Sequence, residues 1–278
     1  MGIINSLVFR PPRPAAYSET SLLSNIFYAE TSFGVQIPIA VDLPGSPRQS
    51  NRKLHCDQKW ILFSHGNAED LYNTTIWTAY ISQLTSLVVV SYDYSGYGIS
   101  YLKDGDAKTQ IGPSEQYLLA DAEAVLKFAE EKLSLKKENA VLWGRSLGCS
   151  AVCHLHCLAR QNSVMFRGII LQSPFTSVLE VGLMTHLEDP PAHDMFRNYD
   201  KIKAIGGFKC PCFVIHGKQD WIVNWWHGQE MASLIPDEYQ WPPLFPECGH
   251  NDLENACERF VDEIYEFIKF CVWRGSAD

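Results

Sequence analysis

The chain has 278 residues, of which 46% are hydrophobic and 12% aromatic, so it is expected to be globular and to bury a sizeable core. Its formal net charge of −9 argues against a nucleic-acid-binding surface. Its nine cysteines show no short repeated spacing, which argues against a small, disulfide-stabilised framework.

The N-terminus matches a lipidation motif. Met1-Gly2-Ile3-Ile4-Asn5-Ser6 fits the M-G-x-x-x-[ST] pattern for myristoylation of Gly2 after removal of the methionine. One myristoyl chain gives only marginal, reversible membrane binding, so a second signal is needed. The residues that could supply it are Leu7, Val8, Phe9, Arg10 and Arg13. An unmodified, frayed N-terminus is the alternative.

We interpret residues 1–20 as an N-terminal extension or tether and residues 21–278 as a single domain. The N-terminus does not resemble a secretory leader, and the cysteine pattern suits a reducing compartment, so we expect a cytoplasmic protein. The sequence holds no stretch long and apolar enough to span a bilayer. Any membrane association is therefore expected to be peripheral, on the cytoplasmic face, through the N-terminus.

The chain then alternates between strand-like and helix-like patterns. Residues 25–42 alternate well enough to predict a β-hairpin that turns at Phe33-Gly34, and residues 44–57 are polar and loop-like. Short apolar runs follow, separated by helical stretches such as 114–133. These runs are residues 59–64, 87–92, 140–143, 168–172 and 212–216. Strands that alternate with helices predict an α/β fold with a mostly parallel sheet and helices on both faces.

The strongest motif is Gly144-Arg145-Ser146-Leu147-Gly148, which follows the apolar run 140–143 and precedes a helical pattern. A serine between two glycines is typical of a nucleophile elbow, a sharp turn from strand to helix that exposes the hydroxyl. Side chains at the two glycine positions would clash in such a turn. The motif predicts that Ser146 is a catalytic nucleophile.

An acid and a histidine follow in the order that this elbow requires. Asp220 comes just after the apolar run 212–216, and His250 lies in a loop before a final helix. A serine hydroxyl becomes a good nucleophile when a neutral imidazole takes its proton, and a buried carboxylate fixes the imidazole tautomer. The order serine, acid, histidine predicts an α/β-hydrolase fold whose chemistry uses neither cofactor nor metal.

Such a site also needs donors for the oxyanion that forms on the substrate. The backbone N–H of Leu147, directly after the nucleophile, is one candidate. The N–H of Asn67 or Ala68 is the other, since the apolar run 59–64 leads into a His-Gly loop there. A second interpretation is that Asn67 caps a helix that begins near Glu69, and the two interpretations are compatible.

The helix after Ser146 carries Cys149, Cys153 and Cys157 at four-residue steps, with His154 and His156 among them. Metal binding is one interpretation of this cluster. Packing of small, buried side chains against the sheet is the favoured one.

Residues 174–210 are expected to form a small cap. A small cap leaves the nucleophile accessible to a bulky substrate, which favours an exposed ester or thioester. Phe175, Met184, Ile222 and Trp225 are candidates for an acyl-chain groove, and a place in the core is the alternative for each of them.

Taken together, the motifs resemble those of the α/β-hydrolase-domain-containing protein 17 group, which are membrane-tethered serine hydrolases that remove palmitate from protein cysteines. The blocks that carry the resemblance are FSHGNA at 63–68, SYDYSGYG at 91–98, GRSLG at 144–148, SPFTS at 173–177, HGKQD at 216–220 and GHND at 249–252. The resemblance implies a palmitoyl-protein thioesterase that acts on S-acylated proteins at membranes, with Ser146, Asp220 and His250 as its triad.

Two departures from that group are visible. Its N-terminus carries a cluster of palmitoylated cysteines, whereas this chain has no cysteine before Cys56. The tethering must therefore differ or be absent, and the Gly2 motif would be a substitute. Tryptophans are also concentrated at Trp221, Trp225, Trp226 and Trp241. Two other functions stay open, namely a carboxylesterase or lipase on small or lipid esters, and a hydrolase-fold scaffold without catalysis.

Overall fold

The computed structural model describes residue 5 and residues 8–18, 26–45, 54–104, 107–188, 191 and 193–273. Gly2, the predicted lipidation site, lies outside the described residues. The chain divides into two compact units, Met1–Ala140 and Val141–Asp278. The division into a tether and one domain stays a prediction.

The first unit begins with the predicted hairpin. Strand β1 (Ile26–Glu30) pairs antiparallel with β2 (Val35–Asp42), and Gly34 supplies the positive φ of +74° that the turn requires. The prediction of a hairpin over 25–42 is confirmed.

The strands that follow are buried on both faces. Strands β3 (Trp60–Ser64) and β4 (Val88–Tyr92) are parallel, and every residue in them is buried, as continuous apolar runs predict. Strand β4 also pairs antiparallel with the second half of β2. Two short strands, β5 (Tyr101–Asp104) and β6 (Ala107–Thr109), extend the sheet from the start of β2.

Two α-helices lie within the described part of residues 54–140. Helix α1 (Leu71–Thr85) begins after Asp70, whose side chain accepts a hydrogen bond from the Tyr72 N–H. Asp70 therefore caps α1, and the interpretation that Asn67 does so is wrong. Helix α2 (Glu115–Leu133) begins after Ser114, as predicted, and a 3₁₀ turn follows at Lys137–Asn139.

The second unit contains three parallel strands in the order β7 (Ala140–Arg145), β8 (Gly168–Gln172) and β9 (Cys212–Ile215). Helix α3 (Gly148–Gln161) follows β7, and α8 (Phe260–Trp273) packs on the strands near Gly168 and Phe213. The other helices are α4 (Val178–Leu183), α5 (Asn198–Ala204), α6 (Trp226–Ser233) and α7 (Leu253–Ala256), with a 3₁₀ turn at Asp237–Tyr239.

The cysteines of α3 lie on its inner side. Cys149 and Cys153 are fully buried and Cys157 is partly buried, as the packing interpretation predicts. The residues that the structure describes contain no group of His, Cys, Asp and Glu side chains arranged to hold a metal ion. Within the same described ranges, no helix combines the length and the apolar character that crossing a bilayer requires.

Candidate active site

Ser146 lies at the sharp turn between β7 and α3. Its φ of +50° is in the left-handed region, and its N–H donates to the Gln172 carbonyl oxygen over 2.8 Å. A Cβ at Gly144 would lie 2.6 Å from the Gly148 carbonyl oxygen, so this position tolerates no side chain. The first glycine of the motif thus has a direct steric cause.

The structure brings the three predicted side chains together. The Ser146 hydroxyl lies 3.0 Å from His250 Nε2, and His250 Nδ1 lies 2.5 Å from Asp220 Oδ2. All three residues are buried. With the proton on Nδ1 donated to the carboxylate, Nε2 is free to accept the proton of the serine hydroxyl.

Backbone pairing explains why Asp220 and His250 meet. The segment after β9 runs beside residues 244–248: the His216 N–H donates to Leu244 O over 3.0 Å, and the Gln219 N–H donates to Cys248 O over 2.9 Å. Between these bonds the two backbones are in contact, because a Cβ at Gly217 would lie 2.2 Å from the Cys248 carbonyl oxygen.

The Asp220 carboxylate is held ionised. Burial acts to raise the pKa of Asp220, but hydrogen bonds from His216 and His250 outweigh it and keep the pKa well below its usual value. The backbone N–H groups of Ile222 and Val223 donate to the other oxygen, Oδ1, over 2.9 and 2.8 Å. A carboxylate with this many donors keeps its charge and its orientation.

His216 is a neighbour of the site that the sequence analysis missed. It is fully buried, and its Nε2 lies 2.9 Å from the Val223 carbonyl oxygen and 3.2 Å from Asp220 Oδ2. Since both neighbours are acceptors, Nε2 carries the proton. Its position directly after β9, four residues before Asp220, does not by itself indicate a role.

Arg145 is the second residue that was missed. Its Nη2 donates to Asn251 Oδ1 over 3.1 Å, and its Nε lies 3.4 Å from Glu254 Oε1. Glu254 Oε1 also accepts a hydrogen bond of 2.6 Å from Gln172. The variable position of the G-x-S-x-G motif thus connects the serine turn to the loop that carries His250.

The backbone around Leu147 has the features that an oxyanion donor requires. Leu147 precedes the first residue of α3, where the helix dipole is positive. Within the described ranges its N–H makes no hydrogen bond, which leaves it available to a substrate. Its role as a donor stays a prediction.

The Asn67–Ala68 loop is described within the first unit alone. The Asn67 side-chain oxygen accepts from the Tyr97 hydroxyl over 2.7 Å, from the Arg10 N–H over 2.8 Å and from the Ala68 N–H over 3.2 Å. The N–H of Ala68 is therefore occupied, whereas that of Asn67 makes no hydrogen bond among the described residues. Of the two predicted donors, Asn67 is the better candidate.

The predicted groove residues differ in exposure. Phe175 is buried with its ring against Phe196, and Trp225 is half-buried against Phe245. Met184 is 73% exposed, and Ile222 is 38% exposed. Their grouping into a groove stays a prediction.

The predicted cap, residues 174–210, contains only the short helices α4 and α5 in its described part. His186 joins it to α6, because its ring lies 6.0 Å from that of Trp226 and its Nδ1 lies 3.0 Å from Glu180 Oε1. No long helical lid lies in the described part of this segment.

This geometry agrees with the comparisons to known proteins. Residues 73–269 match the sequence model of the prolyl oligopeptidase family. The chain is a serine α/β hydrolase of that family. The predicted α/β-hydrolase fold is thereby confirmed.

The predicted resemblance to the α/β-hydrolase-domain-containing protein 17 group is confirmed, because several relatives of this α/β hydrolase carry that name. Human α/β-hydrolase domain-containing protein 17B is 31% identical over 75% of the chain, and human protein 17C is 32% identical over 75%. The chain spans 65% and 57% of the lengths of these two proteins. Protein L404 of Acanthamoeba polyphaga mimivirus, named as an α/β hydrolase, is 30% identical over 96% of the chain and 93% of its own length.

Solved structures share the fold of this α/β hydrolase. The Pyrococcus furiosus esterase Pf2001 superposes with a TM-score of 0.63 at 16% identity, and the match covers 94% of this chain and 98% of the esterase. A Rhodococcus esterase gives a TM-score of 0.58 at 18% identity over 88% of this chain and 98% of its own. At such low identity the likeness concerns the fold.

Proposed function

We propose that the chain hydrolyses acyl esters and thioesters, with Ser146 as nucleophile, His250 as general base and acid, and Asp220 as the residue that orients His250. The observation that carries this proposal is the hydrogen-bonded series from Ser146 Oγ through His250 to Asp220, with distances of 3.0 and 2.5 Å. The first distance is within reach for proton transfer from the hydroxyl to the imidazole, and the second fixes the orientation of the imidazole.

Each step follows from the position of these groups. His250 Nε2 takes the hydroxyl proton while Ser146 Oγ attacks the acyl carbonyl carbon, and the N–H groups of Leu147 and Asn67 stabilise the resulting oxyanion. The imidazolium then returns the proton to the departing thiolate or alkoxide, which leaves an acyl-serine. Water, deprotonated by His250, attacks the acyl-serine and releases the acid and the free serine.

As substrate we propose a palmitoylated cysteine of a protein. The similarity to the protein 17 relatives over three quarters of the chain supports it, and so does the small cap, because a protein-bound thioester must reach the serine while still attached to its protein. Exposed apolar side chains on the second unit, Val141–Asp278, could contact an acyl chain. They are Leu183, Met184, Trp221 and Ile222.

We place this activity at a cytoplasmic membrane surface, with Gly2 myristoylation as the attachment. Intact-mass measurement after co-expression with an N-myristoyltransferase tests the attachment, since modification adds one myristoyl group. An unchanged mass would contradict it.

Labelling with a fluorophosphonate probe tests the nucleophile, because the probe reacts with activated serines. We expect labelling of the wild-type chain and of the Ser233→Ala control, and none of Ser146→Ala. Turnover of a p-nitrophenyl ester should fall on the order of a thousandfold or more in Ser146→Ala with the fold retained. Comparable turnover by that variant would contradict the assignment.

A comparison of substrates tests the thioester preference. The same preparation is given a palmitoyl-cysteine peptide, a short oxygen ester and a triacylglycerol. We expect the palmitoyl peptide to be cleaved with the highest kcat/KM. Preference for the lipid ester would favour the lipase function, and a chain that neither reacts with the probe nor cleaves any ester would favour the scaffold.

A further inference from the structure

Helix α1 buries mainly hydroxyl-bearing side chains and exposes several large apolar ones. Its buried residues are Leu71, Thr74, Thr75, Thr78, Ile81 and Ser82, so that four of the six carry a hydroxyl. A helix on the surface of a globular protein normally turns its apolar stripe inward and its polar residues outward.

The buried hydroxyls are satisfied. Thr78 Oγ1 donates to Asp42 Oδ2 over 2.6 Å, and Ser82 Oγ donates to Leu87 O over 2.7 Å. Thr74 Oγ1 donates to Asp70 O over 3.0 Å. The polar side of α1 is thus fixed against its own unit, and the helix is not free to rotate its apolar side inward.

The exposed side carries a row of large apolar and aromatic side chains, together with the uncharged polar residues Asn73 and Gln83. Tyr72, Ile76 and Tyr80 recur at four-residue steps and are 46%, 69% and 47% exposed. We call these three residues the α1 face. The half-buried Trp77 lies beside it, with its ring 5.6 Å from that of Tyr80. The whole helix, Leu71–Thr85, contains no Asp, Glu, Lys or Arg.

We propose that the α1 face docks on the surface of a lipid bilayer. Tyrosine and tryptophan are the side chains that membrane interfaces favour, because the ring contacts acyl chains while the polar group stays hydrated. A helix without charges also has no ionised group to desolvate on entering the interface. The α1 face therefore suits the headgroup boundary.

The N-terminal segment lies at the same end of the unit. The Ala16 N–H donates to Asp70 Oδ2 over 2.7 Å, and Tyr17 packs against Leu71, the first residue of α1. Arg10 and Arg13 in this segment are exposed. In a chain of net charge −9, two exposed cations on a segment that binds Asn67 and Asp70, just before α1, are complementary to anionic headgroups.

This docking surface also provides the second membrane signal that a single acyl chain at Gly2 would need. It does not depend on the proposed hydrolysis, since the α1 face contains none of the residues assigned to catalysis.

Co-sedimentation with vesicles tests the proposal. The full-length, unmodified chain is mixed with phosphatidylcholine vesicles that contain or lack phosphatidylserine. We expect binding to the phosphatidylserine vesicles and a roughly tenfold weaker partition constant for Ile76→Glu, because a charge would enter the interface. Met165→Glu, which changes another exposed apolar side chain, is the matched control and should bind like the wild type.

Further measurements make the outcome decisive. Tyr80→Ser should also bind more weakly, and both α1 variants should keep wild-type turnover of a soluble ester, which shows that they are folded. Ser146→Ala should bind vesicles like the wild type, so loss of hydrolysis and loss of docking are separable. Equal binding by Ile76→Glu and wild type would overturn the proposal, and so would a dimer in light scattering that Ile76→Glu abolishes, since a second copy would then occupy the face.

Discussion

Asp220 accepts hydrogen bonds from four donors, and these fix the direction of the proposed proton relay. Two backbone N–H groups hold Oδ1, and His216 and His250 hold Oδ2. The carboxylate cannot rotate without losing donors. His250 therefore keeps its proton on Nδ1, which faces Asp220, and leaves Nε2 unprotonated towards Ser146. His216 acts on the reaction through Asp220, so we regard it as a positioning residue.

We predict that His216→Phe lowers kcat for a p-nitrophenyl ester about tenfold or more and leaves KM nearly unchanged. The phenyl ring removes the donor to Asp220 while roughly preserving the volume of the side chain. KM should change little because His216 is fully buried behind the carboxylate, where substrate does not reach it. Steady-state kinetics on the two proteins measure it.

His216→Gln is the control for that prediction. A glutamine amide can reach the position of Nε2 and donate to the same oxygens, so it should recover part of the lost kcat. If the phenylalanine and glutamine variants lose kcat equally, and both melt at a lower temperature, then His216 serves packing rather than positioning.

At the scale of elements, the site depends on the contact between the segment after β9 and the loop that precedes His250. We predict that Gly217→Ala destabilises the chain by about 2 kcal/mol or more, because the new Cβ would lie 2.2 Å from the Cys248 carbonyl oxygen and force the two backbones apart. Urea unfolding measures the loss. Probe labelling of Ser146 should weaken as well, since Asp220 and His250 would separate.

Gly182→Ala in α4 is the matched control. A Cβ there meets no atom within 4 Å, and alanine favours a helix over glycine, so its stability should be unchanged or higher by roughly 0.5–1 kcal/mol. Equal effects at the two glycines would show that the contact at Gly217 can relax.

The elements also show what the sequence can and cannot predict. Strands β3, β4, β7, β8 and β9 were predicted because each is a continuous apolar run. Strands β5 and β6 were missed because they are three or four residues long and polar, so no pattern marks them. The orientation of α1 could not be predicted, because periodicity places apolar residues inward and here the hydroxyls of Thr78 and Ser82 are held inside instead.

The same limit applies to the site. Ser146, Asp220 and His250 could be predicted because glycine spacing and chain order are properties of the sequence. His216 and Arg145 could not, since their importance arises from atoms that become neighbours only after folding.

For the whole molecule, two buried histidines make the free energy of unfolding depend on pH. Burial lowers the pKa of His156 to about 4 and that of His227 to about 3, from an ordinary value of 6.5. At a pH between the ordinary and the lowered pKa, each histidine is protonated in the unfolded chain and neutral in the folded chain. The free energy of unfolding therefore falls as the pH falls from about 6.5 to about 4. Asp220, with its lowered pKa, stays ionised and keeps its contribution throughout this window.

We predict that His156→Phe flattens this dependence. Phenylalanine takes up no proton, so the loss of unfolding free energy between pH 7 and pH 4.5 should be smaller than in the wild type, by as much as about 2 kcal/mol. The ring can stay against Phe208, which lies 5.3 Å from His156 between ring centres. Urea unfolding of both proteins at the two pH values measures the difference, and using the difference cancels any change in packing. An equal loss of unfolding free energy in the two proteins would mean that His156 is protonated in the folded chain as well. The pH dependence of stability would then come from other groups.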